Sequence, residues 1–202
     1  MKILALGAHY DDIEIGVVGT LAQHLKHGHE IIYAITNSDE EATGTPHSRL
    51  NEQLESLKLL DKTLKTSANF HTFQKKDDIE EIIKALDYLK FNVLFIPWEF
   101  DTHQAHRNAS YIGQAVGRKR NITTYFYSSG STYDFYPTTF NPIDFNFKKK
   151  ILNCFKSQIK CGAINIDIIE KRESYWASTI SNEVSHAEGF IARKSIYSFG
   201  RY

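Results

Sequence analysis

The sequence predicts an α/β fold in which helices flank a mostly parallel β-sheet. Three observations lead there. Short apolar runs rich in strand formers alternate with helix-spaced patterns along the 202 residues. The runs at 30–36 and 92–97 are almost continuously apolar, as strands buried on both faces of a parallel sheet are. Residues 3–36 read strand, helix, strand, a βαβ unit whose crossover is right-handed. The arrangement is Rossmann-like, and a single domain over 1–202 accommodates it.

In order, Ile3 to Leu6 form the first strand, which stops at Gly7-Ala8. Residues 19–28 follow as a short helix closed by Gly28, a common C-terminal cap. The second strand spans 30–36, and a polar loop, 37–46, leaves it at the same sheet edge. Leu50, Leu54, Leu57 and Leu60 place an apolar stripe on a helix over 47–60. A short strand is expected at 69–73. Residues 77–89 make a helix with acids in its first turn and Ile79, Ile82, Ile83, Leu86 and Leu89 behind them. The strand at 92–97 ends at Pro97, which cannot donate to a ladder. A polar loop leads to a helix over 105–117, then a strand over 123–127. Residues 130–146 read as an irregular, aromatic, substrate-facing loop. Helices at 147–159 and 167–179 and a closing strand at 187–196 complete the chain.

Chemistry gathers after two of these strands. One knot is His9, Asp11, Asp12 and Glu14; the other is Asp101, His103 and His106. Ligands of open α/β sheets bind outside the carboxyl ends of the strands, so parallel strands bring both knots to one edge. Acids crowded there repel one another, and a bound cation is the simplest relief. Two histidines and a carboxylate, with a position left for water, form the pattern of a catalytic zinc site.

Composition narrows the alternatives. The chain has 24 basic and 24 acidic residues, a balance that argues against a nucleic-acid partner. No apolar stretch approaches the roughly 20 residues of a membrane span. The first residues lack the pattern of a secretory signal, which points to a cytoplasmic protein. Cys154 and Cys161, seven apart on one expected helix, fall two turns apart along its axis, too far for a disulfide, so both read as reduced thiols.

The two knots resemble the motifs of the LmbE-like/PIG-L superfamily of zinc-dependent N-deacetylases. Its first signature, His-Pro-Asp-Asp-x-Glu before Gly-Gly-Thr, stands here as His9-Tyr10-Asp11-Asp12-Ile13-Glu14 and Val18-Gly19-Thr20. Its second, Asp-x-His-x-Asp-His, stands as Asp101-Thr102-His103-Gln104-Ala105-His106. Arg49 with Glu52 is similar to the family's Arg-x-x-Glu, and Ser185-His186-Ala187-Glu188-Gly189-Phe190 to its C-terminal Tyr-Ala-Glu-x-Phe. The resemblance implies an LmbE-like deacetylase fold and removal of an acetyl group from an N-acetylated amino sugar or glycoconjugate of the N-acetylglucosamine type. It implies His9, Asp12 and His106 as ligands of Zn2+, with Fe2+ or Mn2+ as alternatives that the same donors tolerate. Asp11 would be the general base. His103 would stabilise the oxyanion or protonate the leaving amine. Arg49, Glu14 and Asp101 are the substrate-binding candidates, Glu14 also as a shaper of the turn. Tyr10, Val18 and Ala105 depart from the motifs. Ala105 stands where the family has an aspartate that orients the histidine, which lowers the basicity expected of His103 unless Asp101 or Glu99 substitutes.

Plainer readings stand beside these. Asp11 could cap a helix, and Arg49 could pair with Glu52 on its own helix face. Glu188 reads as structural or functional alike, and Lys148-Lys149-Lys150 as a solvated face. His24, His27, His29, His47 and His71 are unassigned. Rival functions are hydrolysis of another N-acylated small molecule and a catalytically silent metal or sugar binder. A nucleotide site at Gly16 to Thr20 ranks last, because acids precede it. A homo-oligomer is left open.

Overall fold

A computed structural model describes residues 1–39, 46–64, 69–118 and 121–195. Side chains at 46–48 and 62–64 are not described, and 40–45 of the polar loop expected at 37–46 lie outside the described residues.

The apolar runs become a seven-stranded sheet. In chain order the strands are β1 (Lys2–Gly7), β2 (Glu30–Ile35), β3 (Asn69–Thr72), β4 (Val93–Pro97), β5 (Thr123–Tyr127), β6 (Thr139–Pro142) and β7 (Ala187–Lys194). Their order across the sheet is β3-β2-β1-β4-β5-β7-β6. The first five strands are parallel, and β7 runs antiparallel to both β5 and β6. The order reverses between β1 and β4, and such a switch point opens a crevice at the strands' carboxyl ends.

Alternation along the strands sends side chains to two cores. Ile3, Ala5, Tyr33 and Phe95 join the face covered by α2 (Val18–Lys26), α3 (Pro46–Leu64) and α6 (Phe145–Leu152). Leu4, Leu6, Ile32, Leu94 and Ile96 join the face covered by α4 (Ile79–Tyr88) and α5 (Gln104–Arg118). Each β1 residue from Ile3 to Leu6 is thus buried whichever way it points, which is why the strand reads as continuously apolar.

Several local features follow from single residues. The helix expected at 19–28 begins earlier, as α1 (Asp12–Gly16) and α2, broken at Val17. Gly28 takes φ 74 and donates to the Leu25 carbonyl while His29 donates to that of His24, a Schellman ending that turns His29 back onto His24. At Gly16 a Cβ would lie 2.1 Å from the Tyr127 ring, so only glycine lets that ring pass and its hydroxyl reach the Leu6 carbonyl at 2.8 Å. Asp78 caps α4, accepting from the Glu80 and Glu81 amides.

Other expectations change. Leu54 in the expected stripe is 47 % exposed, whereas Leu57 and Leu60 are buried. The stretch 130–146 is not wholly irregular, because β6 pairs there with β7. The helix expected at 147–159 is two, α6 and α7 (Lys156–Lys160), with Phe155 buried at the break. Cys154 and Cys161 are therefore not on one helix, although both are free thiols. Lys148 is wholly buried rather than solvated, and it donates to Glu173 at 2.5 Å and Glu188 at 2.7 Å on α8 (Ile166–Ser178) and β7. No described helix is long and apolar enough to cross a membrane.

Candidate metal centre and cleft

The turn after β1 is built to aim side chains at the switch point. Asp11 adopts φ 117, a conformation that favours glycine and is strained for any residue with a Cβ. Asp11 precedes α1 yet its side chain makes no capping hydrogen bond. Its carboxylate is therefore available to the cleft. Asp12 turns back instead: its Oδ2 accepts from the Ala8 and His9 amides, each at 2.9 Å. That leaves Oδ1, which lies 3.1 Å from His106 Nε2.

His106 arrives from the first turns of α5, and its Nε2 is 3.3 Å from His9 Nδ1. His9 Nδ1 is in turn 3.6 Å from Asp12 Oδ2. The donor atoms of His9, Asp12 and His106 all lie within 4.8 Å of one another, and all three residues are buried. Ligands held at about 2.0–2.1 Å in a tetrahedron stand about 3.3 Å apart, so this donor set fits a zinc-sized divalent ion with a position to spare.

The far side of His106 explains its orientation. Its Nδ1 lies 3.2 Å from Asp101 Oδ1, 2.9 Å from Ser129 Oγ and 3.1 Å from Ser131 Oγ. Both hydroxyls donate to Asp101, at 2.8 and 2.7 Å, and Thr132 donates to it at 2.6 Å. The hydroxyls can thus accept from Nδ1–H while giving their own protons to the carboxylate. Nε2 is then the nitrogen that faces Asp12 and His9 and would exchange its proton for an ion, an arrangement of the kind that orients a metal-ligating histidine. Asp101 lies behind His106 and is absent from the cleft lining, away from where a substrate contact would sit. Sequence reasoning missed Ser129, Ser131 and Thr132; the signal was the hydroxyl-rich run directly after a parallel strand.

His103 stands at the cleft edge, its ring centroid 4.9 Å from that of His9 and 4.8 Å from that of His106. The Ala105 amide donates to its Nδ1 at 3.2 Å, which places the ring proton on Nε2. Neither Asp101 nor Glu99 takes over the missing side chain at 105: Asp101 Oδ1 accepts from the His103 amide, and Glu99 accepts from Gln114.

Arg49 reaches Asp11, with its guanidinium 3.6 Å from the carboxylate, and donates to the Tyr10 carbonyl. Glu52, its expected helix partner, instead accepts from the backbone and hydroxyl of Ser157. Glu14 is fully buried outside the cleft and accepts from Gln53 and Ser56, so it holds α1 against α3. Glu188 accepts from the Gly19 and Thr20 amides, which fills the helix N-terminus where a nucleotide phosphate would bind.

Burial and the neighbouring Asp12 push the Asp11 carboxyl up to about 8, although Arg49 and His9 pull the other way. Burial opposes charge on His106 too, but Asp12 and Asp101 outweigh it and raise the group to about 10. Asp12 is held well below the carboxylate range, the two histidines overcoming its burial. Three acids meet few fixed cations here, and the site favours a positive ion.

Residues 4–116 match the family model of the GlcNAc-PI de-N-acetylases, PIG-L, and the chain belongs to that family. Among solved structures it is similar to the conserved protein TT1542 from Thermus thermophilus, at 23% identity and a TM-score of 0.79 over 99% of both chains. It is similar to the N,N'-diacetylchitobiose deacetylase of Pyrococcus horikoshii at 18% identity and TM-score 0.71, covering 95% of this chain and 83% of that one. It is also similar to GalB, the 4-carboxy-2-hydroxymuconate hydratase of Pseudomonas putida, at 14% identity and TM-score 0.78 over 100% and 99%. The fold is that of the LmbE-like deacetylases. It carries a deacetylase and a hydratase alike, so function has to be argued from the site.

Proposed function

We propose that this chain is a metal-dependent N-deacetylase acting on an N-acetylated amino sugar or sugar conjugate of the N-acetylglucosamine type, with zinc as its ion. The observation that carries the reading is the convergence of His9 Nδ1, Asp12 Oδ1 and His106 Nε2 beside a carboxylate, Asp11, that is left out of the cluster. Family membership supports an amide hydrolase, and the chitobiose deacetylase of the same fold supports a sugar substrate.

Bound by His9, Asp12 and His106, the ion would supply Lewis acidity and activation of a water. Burial keeps the Asp11 carboxyl at about 8 even beside Arg49; with the positive charge of a bound ion added to that of Arg49 it would be held as the anion that takes the proton of the attacking water. His103 carries its proton on Nε2, which donates to the developing oxyanion or to the departing nitrogen. Arg49 also lines the cleft, within reach of a sugar hydroxyl or phosphate. One water is consumed, the C–N bond breaks, and acetate and a free amine leave.

Metal analysis and an amine-release assay over a panel of N-acetylated sugars test this. The wild type is expected to bind one equivalent of ion and release amine; His9→Ala and His106→Ala are expected to lose both. Full metal content in those variants would sink the ligand set. Bound metal with no amine from any substrate would favour the silent binder that Ala105 motivates.

A further inference from the structure

Three histidines outside the cleft fall within six residues, in His24-Leu25-Lys26-His27-Gly28-His29. They sit where α2 gives way to β2, at the amino ends of the strands. The metal cleft opens at the carboxyl ends. Since β1 spans six residues, about 20 Å of strand, the two groups of histidines lie at opposite edges of the sheet.

The ending of α2 holds one pair as a chelate needs it. The His29 amide donates to the His24 carbonyl at 3.0 Å, and Gly28, at φ 74, makes the turn between them. The two Nδ1 atoms stand 2.9 Å apart, with ring centroids at 5.1 Å and ring planes inclined by 32°. His27 is exposed beside them, its ring centroid 6.5 Å from that of His29. Two nitrogens bound to one ion by bonds of about 2.0–2.1 Å stand about 3.3 Å apart in a tetrahedron and about 2.9 Å apart at a right angle. His9 Nδ1 and His106 Nε2 have the first spacing, 3.3 Å; His24 and His29 have the second. Right-angled nitrogen donors suit Cu2+ and Ni2+ rather than Zn2+.

The surroundings leave the pair ready to ligate. Burial first, then the neighbouring histidines and the Met1 amine, lower both groups, so the rings are neutral imidazoles, the form that binds metal. Without an ion, one Nδ1–H donates to the other Nδ1. An ion takes the place of that proton, and each ring then carries its own on Nε2, so none is lost. The carbonyl end of α2 bears partial negative charge, which favours a cation. Glu30, the adjacent acid, pairs with Lys2 at 3.3 Å, which leaves the imidazoles as the donors.

We infer that His24 and His29 form a second metal site, which takes Cu2+ or Ni2+ in tetragonal coordination completed by water.

The test is titration of zinc-loaded protein with Cu2+ against glycine as competing chelator, followed by electron paramagnetic resonance. One equivalent is expected to bind with a tetragonal spectrum split by two imidazole nitrogens. His24→Gln and His29→Gln are each expected to lower the Cu2+ affinity by about tenfold or more and to remove that splitting, at an unchanged melting temperature. His27→Gln is expected to leave both nearly unchanged. Zinc measured alongside separates the two sites: copper that expels zinc is retained by His24→Gln, and copper at the pair is not. No bound equivalent, the same uptake in His24→Gln as in the wild type, or an equal loss in His27→Gln would overturn the site and leave the 2.9 Å contact an imidazole hydrogen bond only.

Discussion

Lys148 and Arg172 face Glu173 and Glu188 in one cluster; in the other, Asp11 and Asp12 at the cleft, with Asp101 behind His106, meet Arg49, His9 and His106. Both groups are largely buried. In the first, two cations and two anions balance, and Lys148 further donates to the Ile15 carbonyl at 2.9 Å. Arg172 reaches the same carbonyl and the Ser128 hydroxyl. This cluster ties α1, α6, α8 and β7 together. In the second, donor atoms converge on an open cleft with too little fixed positive charge. Burial of charge is therefore no mark of function here. What marks the candidate site is that its charges are left for something else to balance.

The comparison breaks hardest at Lys148. Replacement by Met leaves Arg172 as the one cation beside Glu173 and Glu188 among the described residues, and urea unfolding is expected to show a loss of about 3–5 kcal/mol. Replacing Lys148, Glu173 and Glu188 together by apolar residues of similar volume is expected to recover most of it. A single substitution costing under about 1 kcal/mol would mean that the cluster is not balanced by this lysine.

Asp101→Asn probes the other cluster from behind. The change keeps the shape but weakens the hold on His106 Nδ1, and metal affinity is expected to fall by about 10–100-fold. Competition with a chromogenic chelator measures it. An unchanged affinity would show that the Ser129 and Ser131 hydroxyls orient His106 without the carboxylate.

Much of this architecture is legible in the sequence. The apolar runs at β1, β2 and β4 declare their burial on both faces, and the two knots follow strands whose direction brings them together. Lys148 is not legible, because its partners lie 25 and 40 residues away and a run of lysines carries no sign of which one turns inward. The hydroxyl shell of Asp101 is hidden for the same reason. Serine and threonine are ordinary loop residues until β5 delivers them beside α5. The edge strand β6 is short and contains Pro142, so it lacks the apolar alternation that announces a strand.

A third group of like residues shows another way to manage repulsion, and with the smallest effect. His24 and His29 bring their Nδ1 atoms to 2.9 Å because the Schellman ending of α2 folds one onto the other. Partial burial, then His29 and His27, lower the His24 group from 6.5 to about 4. Burial, the neighbouring histidines and the N-terminal amine all disfavour charge there, and no described carboxylate offsets them, so the pair stays neutral. The sign follows from that lowered value. Stability is fully present above about pH 6.5 and is lost as pH falls through about 4, because the unfolded chain takes up the proton first. Solvent screening at this half-exposed site limits the loss to the order of 1 kcal/mol. His24→Gln removes the titration, and the difference in unfolding free energy between wild type and variant, followed from pH 7.5 to 4, cancels contributions from the cleft. The wild type is expected to lose more over that range. Parallel curves would mean that the imidazole pair accepts its proton as readily folded as unfolded, and that its close contact costs the fold nothing.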